Sequence, residues 1–242
     1  MNPDDPEAFR RQAAGVCELY EQAGALAEQG IHLVSTDEKT GIQALERLHP
    51  DIPMGPGRVQ RREYEYVRHG TVCLTANLEI WCGWIIAPTL GTTRTETDFV
   101  AHVEQTVNTD PWAGWIFITD NLNTHQSEGL VRWVAQTCEI EQDLGEKGKR
   151  GVLKSQRSRA TFLSDPGHRI RFVYTPKHTS WLNQVETWFS ILVRKLLRRS
   201  SFISIEDLKE RILAFIRYFN LTMAKPIRWL YSVKPRPSNE TG

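Results

Sequence analysis

An α/β fold with a mixed central sheet of about five strands flanked by helices is predicted by three observations. Short apolar runs rich in β-branched and aromatic residues fall at 31–36, 71–78, 80–87, 115–119 and 170–174, and the later ones alternate with stretches of helical periodicity. Two of these runs stop on an acidic residue, Asp37 and Asp120. A helical stretch at 180–197 carries an apolar face together with a third acid, Glu186.

The elements follow in order. Asp5 and Pro6 read as a helix start, and Phe9, Ala13, Val16, Leu19 and Ala23 recur at helical spacing, which predicts an amphipathic helix over 6–29. Ile31 to Thr36 reads as the first strand, followed by a loop through Pro50, Pro53, Gly55, Pro56 and Gly57. Tyr64 to Val67 reads as an extension of the next strand. The runs 71–78 and 80–87 predict an antiparallel hairpin with a tight turn near Asn77 and Glu79. Phe99, Val103 and Val107 predict a helix over 95–107, and the apolar 115–119 predicts a central strand buried on both faces. A helix over about 127–138 follows. Residues 139–168 are charged, contain glycine and lack periodicity, and so read as an exposed insertion. A strand at 170–174, a long helix at 180–197 with Trp181, Val185, Trp188, Phe189 and Leu192 on its apolar face, and a last helix capped by Ser204 and Asp207 and reaching about Phe219 complete the order. This order matches a ribonuclease H-like fold.

Composition sets limits. No apolar run approaches the roughly 20 residues of a membrane span, and the acidic amino terminus lacks the pattern of a secretory signal, so a cytoplasmic location and no membrane partner are expected. Cys17, Cys73, Cys82 and Cys138 show no C-x-x-C spacing and read as small buried hydrophobes. Thirty basic residues against 29 acidic ones leave a net charge of +1, so distribution matters more than total. Basic residues gather at Arg58, Arg61 and Arg62, at Lys147, Lys149, Arg150, Lys154, Arg157 and Arg159, and at Arg194, Lys195, Arg198 and Arg199, three patches suited to phosphates.

Asp37 and Asp120, at the ends of the first and fourth strands, emerge at one edge if those strands are parallel neighbours, and Glu186 faces them from a helix. Converging carboxylates repel one another and call for hard divalent cations. Asn183, three positions before Glu186, falls on the same side, whereas Glu38 reads as a solvated neighbour of Asp37 because adjacent strand residues point to opposite faces.

Three strings, in this order, carry a resemblance: Asp37-Glu38-Lys39-Thr40-Gly41, Asp120-Asn121-Leu122-Asn123-Thr124-His125, and Thr175-Pro176-Lys177-His178-Thr179-Ser180-Trp181-Leu182-Asn183-Gln184-Val185-Glu186. An echo follows at Tyr218-Phe219-Asn220 and Lys225-Pro226-Ile227-Arg228-Trp229. Over about 31–231 the chain resembles transposases of the IS630 group, within the IS630/Tc1/mariner superfamily of DDE recombinases.

The resemblance implies a catalytic domain over 31–235 preceded by a linker helix at 1–30, with Asp37, Asp120 and Glu186 as catalytic, metal-binding residues. It also implies two Mg²⁺ or Mn²⁺ ions, roughly 3.5 to 4 Å apart in such sites, hydrolysis at transposon ends, strand transfer into TA target sites, and double-stranded DNA as partner of a homo-oligomer. His125, His178, Asn183, Lys177, Arg194 and Lys195 are expected to support the carboxylates or contact DNA. Two departures stand out. Asp120 and Glu186 lie farther apart than in many superfamily members, the surplus falling at 139–168, and there is room for only one helix before Ile31, where the family usually carries helix-turn-helix modules. The alternatives are a catalytically silent, DNA-binding remnant and a nuclease without strand transfer.

Overall fold

The structure is a computed structural model and describes residues 5–49, 54–57, 59, 65–177, 179–227 and 229. Helices α1 (Pro6–Glu21) and α2 (Ala23–Glu28) precede the sheet, and Gln22 interrupts what periodicity alone predicts as one helix. The strands are β1 (Ile31–Arg47), β2 (Tyr66–Glu79), β3 (Ile85–Gly91), β4 (Gly114–Thr119) and β5 (Ile170–Tyr174), ordered β3-β2-β1-β4-β5. β1 pairs with β4 and β4 with β5 in parallel, while β1–β2 and β2–β3 are antiparallel, so the sheet is mixed and five-stranded as expected.

Helices α3 (Glu96–Val107), α4 (Glu128–Thr137) and α5 (Gln156–Leu163) cover one face of the sheet. Val34, Trp115, Phe117 and Phe172 form the floor of that core, and Phe117 stacks on Phe172 at 5.1 Å. Full burial of each such side chain stabilises by about 1.5–3 kcal/mol. On the other face α1 packs over Leu33, Ile116 and Ile118. Helices α6 (Val185–Leu192) and α7 (Ile205–Thr222) pack there over the β1–β2–β3 hairpins. No helix among the described residues is long and apolar enough to cross a membrane.

Several elements differ from expectation. β1 does not stop at Thr36 but runs on to Arg47, because its antiparallel register with β2 continues long after the parallel ladder with β4 ends at Ser35. Tertiary pairing here overrides the turn-like Asp-Glu-Lys-Thr-Gly string, and Gly41, at φ +66, falls where the register with β2 slips between Lys39 and Ile42.

The β2–β3 turn lies at 80–84 rather than near Asn77, since Gly83 (φ +76) supplies the conformation that turn requires and a Cβ there would meet the Lys225 carbonyl oxygen at 2.1 Å. Asn77 is instead buried inside β2, bonded to Thr36 and Thr106.

Residues 139–168 are not wholly an exposed insertion. Their second half forms α5, and Leu153, Phe162 and Leu163 are buried in the core. The long helix expected at 180–197 is divided into a 3-10 turn (Ser180–Leu182), α6 and a π-helical turn (Val193–Leu197). That break changes the helical phase, which leaves Trp181 44% exposed instead of facing the sheet.

Candidate active site

Asp37 sits inside β1, two residues past the last parallel pair with β4, where the edge toward β4 opens. Asp120 follows the last residue of β4 directly. Both therefore leave neighbouring parallel strands at the same edge. Residues Leu33, Ser35 and Asp37 point to the α1/α6 face, and Val34, Thr36 and Glu38 to the α3/α4 face, as the pleat demands.

Glu186 is brought to the site by a buried polar clamp. Ser35 Oγ donates to Asn183 Oδ1 and accepts from the Val185 amide at 2.9 Å, so a strand residue caps the start of α6. Asn183 Nδ2 donates to the Thr36 carbonyl at 3.1 Å and to Asp37 Oδ2 at 2.9 Å. Tyr20 on α1 donates to the Leu182 carbonyl at 2.6 Å and braces the same turn from below. Glu186, in the first turn of α6, consequently faces Asp37 closely enough for their charges to interact.

On the opposite face His125 is fully buried between two carboxylates, with Nδ1 2.8 Å from Asp120 Oδ1 and Nε2 3.1 Å from Glu38 Oε1. Phe99 lies over its ring at 4.1 Å, and Tyr174 donates to its carbonyl at 2.9 Å. Glu38, whose side chain is 4% exposed, is thus no solvated neighbour of Asp37. It does point to the opposite face, but β1 is a central strand and that face is covered by α3 and α4.

Electrostatics differ between the two acids. Burial, followed by the charges of Asp120, Glu186 and Glu38, pushes Asp37 up to about 7 against the amide of Glu38 that bonds its Oδ1. Burial also acts to raise Asp120, but the His125 hydrogen bond and charge outweigh it and hold Asp120 below the usual carboxylate range. Burial disfavours the His125 imidazolium, yet the bonds to Asp120 and Glu38 push it up to about 9, so a charged imidazole bridges the Glu38 and Asp120 side chains at neutral pH.

The donor set fits hard divalent cations: three carboxylates whose mutual repulsion a cation would relieve. No group of three or more His, Cys, Asp or Glu among the described residues is placed to hold an ion as it stands. The four cysteines are free and buried or half-buried, outside this cluster.

The remaining expected residues are scattered. Lys177 is exposed beyond β5, Arg194 and Lys195 are exposed on the π-helical turn after α6, and His178 lies outside the described residues. So do Arg58, Arg61 and Arg62. In the 139–168 patch Lys149 pairs with Glu146 at 2.6 Å, Arg150 with Asp143 at 2.5 Å and Lys147 with Glu128 at 3.6 Å, while Arg159 serves the Gln126 carbonyl at 2.6 Å. Sequence reasoning missed Ser35, Tyr20 and the buried role of Glu38. Ser35, a polar residue between the inward positions of Leu33 and Asp37, was the available signal.

A family model described as DDE superfamily endonuclease matches residues 32–209. Among solved structures the chain is similar to the Mos1 mariner paired-end complex with Mn, at 13% identity and a TM-score of 0.53, covering 89% of this chain and 56% of that one. It is also similar to a pre-cleavage Mos1 transpososome, at 12% identity and a TM-score of 0.52, covering 89% of this chain and 57% of that one. At such identities the likeness shows the fold, the ribonuclease H-like arrangement of mixed sheet and flanking helices. This chain spans little more than half the length of those proteins. No curated protein matches the sequence.

Proposed function

The chain belongs to the DDE superfamily endonucleases, and on that premise we propose that it is the catalytic domain of a transposase of the IS630 kind, cutting DNA at transposon ends and joining the freed 3′ end to target DNA. The observation that carries the reading is the convergence of Asp37 and Asp120 from parallel strands with Glu186 from a clamped helix. Asp37, Asp120 and Glu186 would hold two divalent cations, Mg²⁺ or Mn²⁺. Bound there, such ions polarise the attacking oxygen and stabilise the leaving oxygen of an in-line phosphoryl displacement. The Mos1 paired-end complex of the same fold was solved with Mn.

The residues around the acids have distinct tasks in this proposal. Asn183 and the Glu38 amide fix the rotamer of Asp37 by donating to Oδ2 and Oδ1 respectively. His125 fixes Asp120 in the same way from the far face, and Glu38 holds the imidazole in place. Lys177, Arg194 and Lys195, all exposed, are proposed to meet DNA phosphates, and the active species to be a homo-oligomer on double-stranded DNA.

Mn²⁺ titration followed by calorimetry, beside a nicking assay on a duplex carrying a transposon end, tests the reading. Binding and nicking in the wild type, both absent in Asp120→Asn, are expected. Equal nicking by the two proteins rejects the assigned chemistry. Strand transfer of a precut 3′ end separates a transposase from a simple nuclease, and failure of the wild type to bind Mn²⁺ favours a silent remnant.

A further inference from the structure

Resting on that reading, we propose that a groove along the far half of β1 seats the DNA strand next to the cleaved bond, with Lys39 and Arg198 gripping its phosphates. Lys39 lies two residues beyond Asp37, so both side chains leave the same face of the sheet. Its Nζ stands 5.9 Å from the centre of the Phe189 ring. Phe189 follows Glu186 on α6 at the spacing of neighbours on a helix surface. The ammonium is therefore held between the two elements that carry Asp37 and Glu186, beside the carboxylates rather than among them.

From Lys39 the groove continues away from the site. It has a volume of about 380 Å³ and is lined by Lys39, Thr40, Gly41, Arg47, Arg198 and Ser200 among others, and among the described residues by no Asp or Glu. Arg47 donates to the Arg198 carbonyl at 3.2 Å, which ties β1 to the end of the π-helical turn and leaves the Arg198 side chain exposed. Among the described residues neither Lys39 nor Arg198 has an ion-pair partner.

In a chain with a net charge of only +1, a groove whose Lys39 and Arg198 have no ion-pair partner among the described residues is a local excess that concentrates a polyanion. In the 139–168 patch, by contrast, Lys147, Lys149 and Arg150 are already paired with Glu128, Glu146 and Asp143. From Lys39 to Arg47 an extended strand covers roughly 25 Å, about the axial length of seven nucleotides at 3.4 Å each.

The test is fluorescence anisotropy of a fluorescein-labelled duplex in EDTA over a KCl series, so that no outcome depends on a metal. For the Lys39→Gln/Arg198→Gln double variant the slope of log affinity against log salt is expected to fall by about 1.8, or about 0.9 for each lost phosphate contact. Lys39→Arg is expected to keep the wild-type slope, as is Lys149→Gln/Arg150→Gln, and thermal melting checks that each variant is folded. A wild-type slope in the folded double variant, or a loss carried by the 149/150 pair instead, overturns the groove. Loss of slope in the double variant, beside a wild type that never nicks DNA in Mn²⁺, supports the groove while rejecting the transposase reading.

Discussion

Asp37 and Asp120 leave adjacent strands at one edge of the sheet, yet the two faces hold them by different physics. On the α6 face Asp37 is braced by a neutral amide, Asn183, itself locked by Ser35 and the Thr36 carbonyl. On the α3/α4 face Asp120 is braced by an imidazole charged through a second, buried carboxylate. Burial, followed by the neighbouring acids, pushes the Asp37 carboxyl up to about 7, which its neutral brace does not offset, whereas the charged brace holds Asp120 below the usual carboxylate range. In the proposed site one acid would thereby gain most from a cation, and the other would bind one already ionised.

The largest effect expected from breaking this comparison is on turnover. Asp37→Asn and Asp120→Asn are each expected to lower nicking by about 10³-fold or more, since metal-held transition-state stabilisation is worth several kcal/mol. Single-turnover assays in Mn²⁺ check it, and a variant within tenfold of wild type removes that acid from the site. Next comes stability. His125→Ala leaves Glu38 buried and unpaired at a cost of about 3–5 kcal/mol, whereas Asn183→Ala strands only neutral groups and Asp37's half-satisfied oxygen, at about 1–3 kcal/mol. Urea unfolding of both variants reads the difference, and an equal cost would mean the His125 chain carries no special charge.

Ser35→Ala removes the acceptor at the start of α6 and is expected to cost about 1 kcal/mol, as for loss of a helix cap. Its more telling effect is on metal affinity, expected to weaken about 10-fold as Glu186 loses its anchor. Wild-type Mn²⁺ affinity would show that the rest of the clamp suffices.

The smallest effect concerns a third pairing, His32 with Glu79 at 2.8 Å, outside the site. The bond to Glu79 raises His32 above its ordinary value against burial, and burial raises Glu79. Both folded values lie above the unfolded ones, so the contribution of His32 is complete below about 6.5 and is lost as pH rises through its raised value. His32→Gln is expected to flatten that part of the stability curve measured by thermal melting.

Much of this was legible in the chain. The apolar runs before Asp37 and Asp120 gave two strands, and β4 with its parallel partners follows from an uninterrupted apolar segment such as Trp115 to Thr119. The capping residues Thr95 and Ser127 stand where the helical periodicities begin. What was not legible involves partners distant in sequence. The continuation of β1 past Asp37 depends on β2, the turn at Gly83 on the backbone of Lys225, and the burial of Glu38 on a histidine in another loop.

Local pattern, then, determined the mixed α/β sheet and singled out the three acids as candidates, because period and capping are properties of neighbouring residues. Only the tertiary structure decided that Ser35 and Asn183 fasten α6 to β1, that His125 joins Asp120 to Glu38, and that Lys147, Lys149 and Arg150 are ion-paired while Lys39, among the described residues, is not. Hydrogen bonds and charges act through space over a few ångströms, and no rule of spacing along the chain reveals which distant groups will meet.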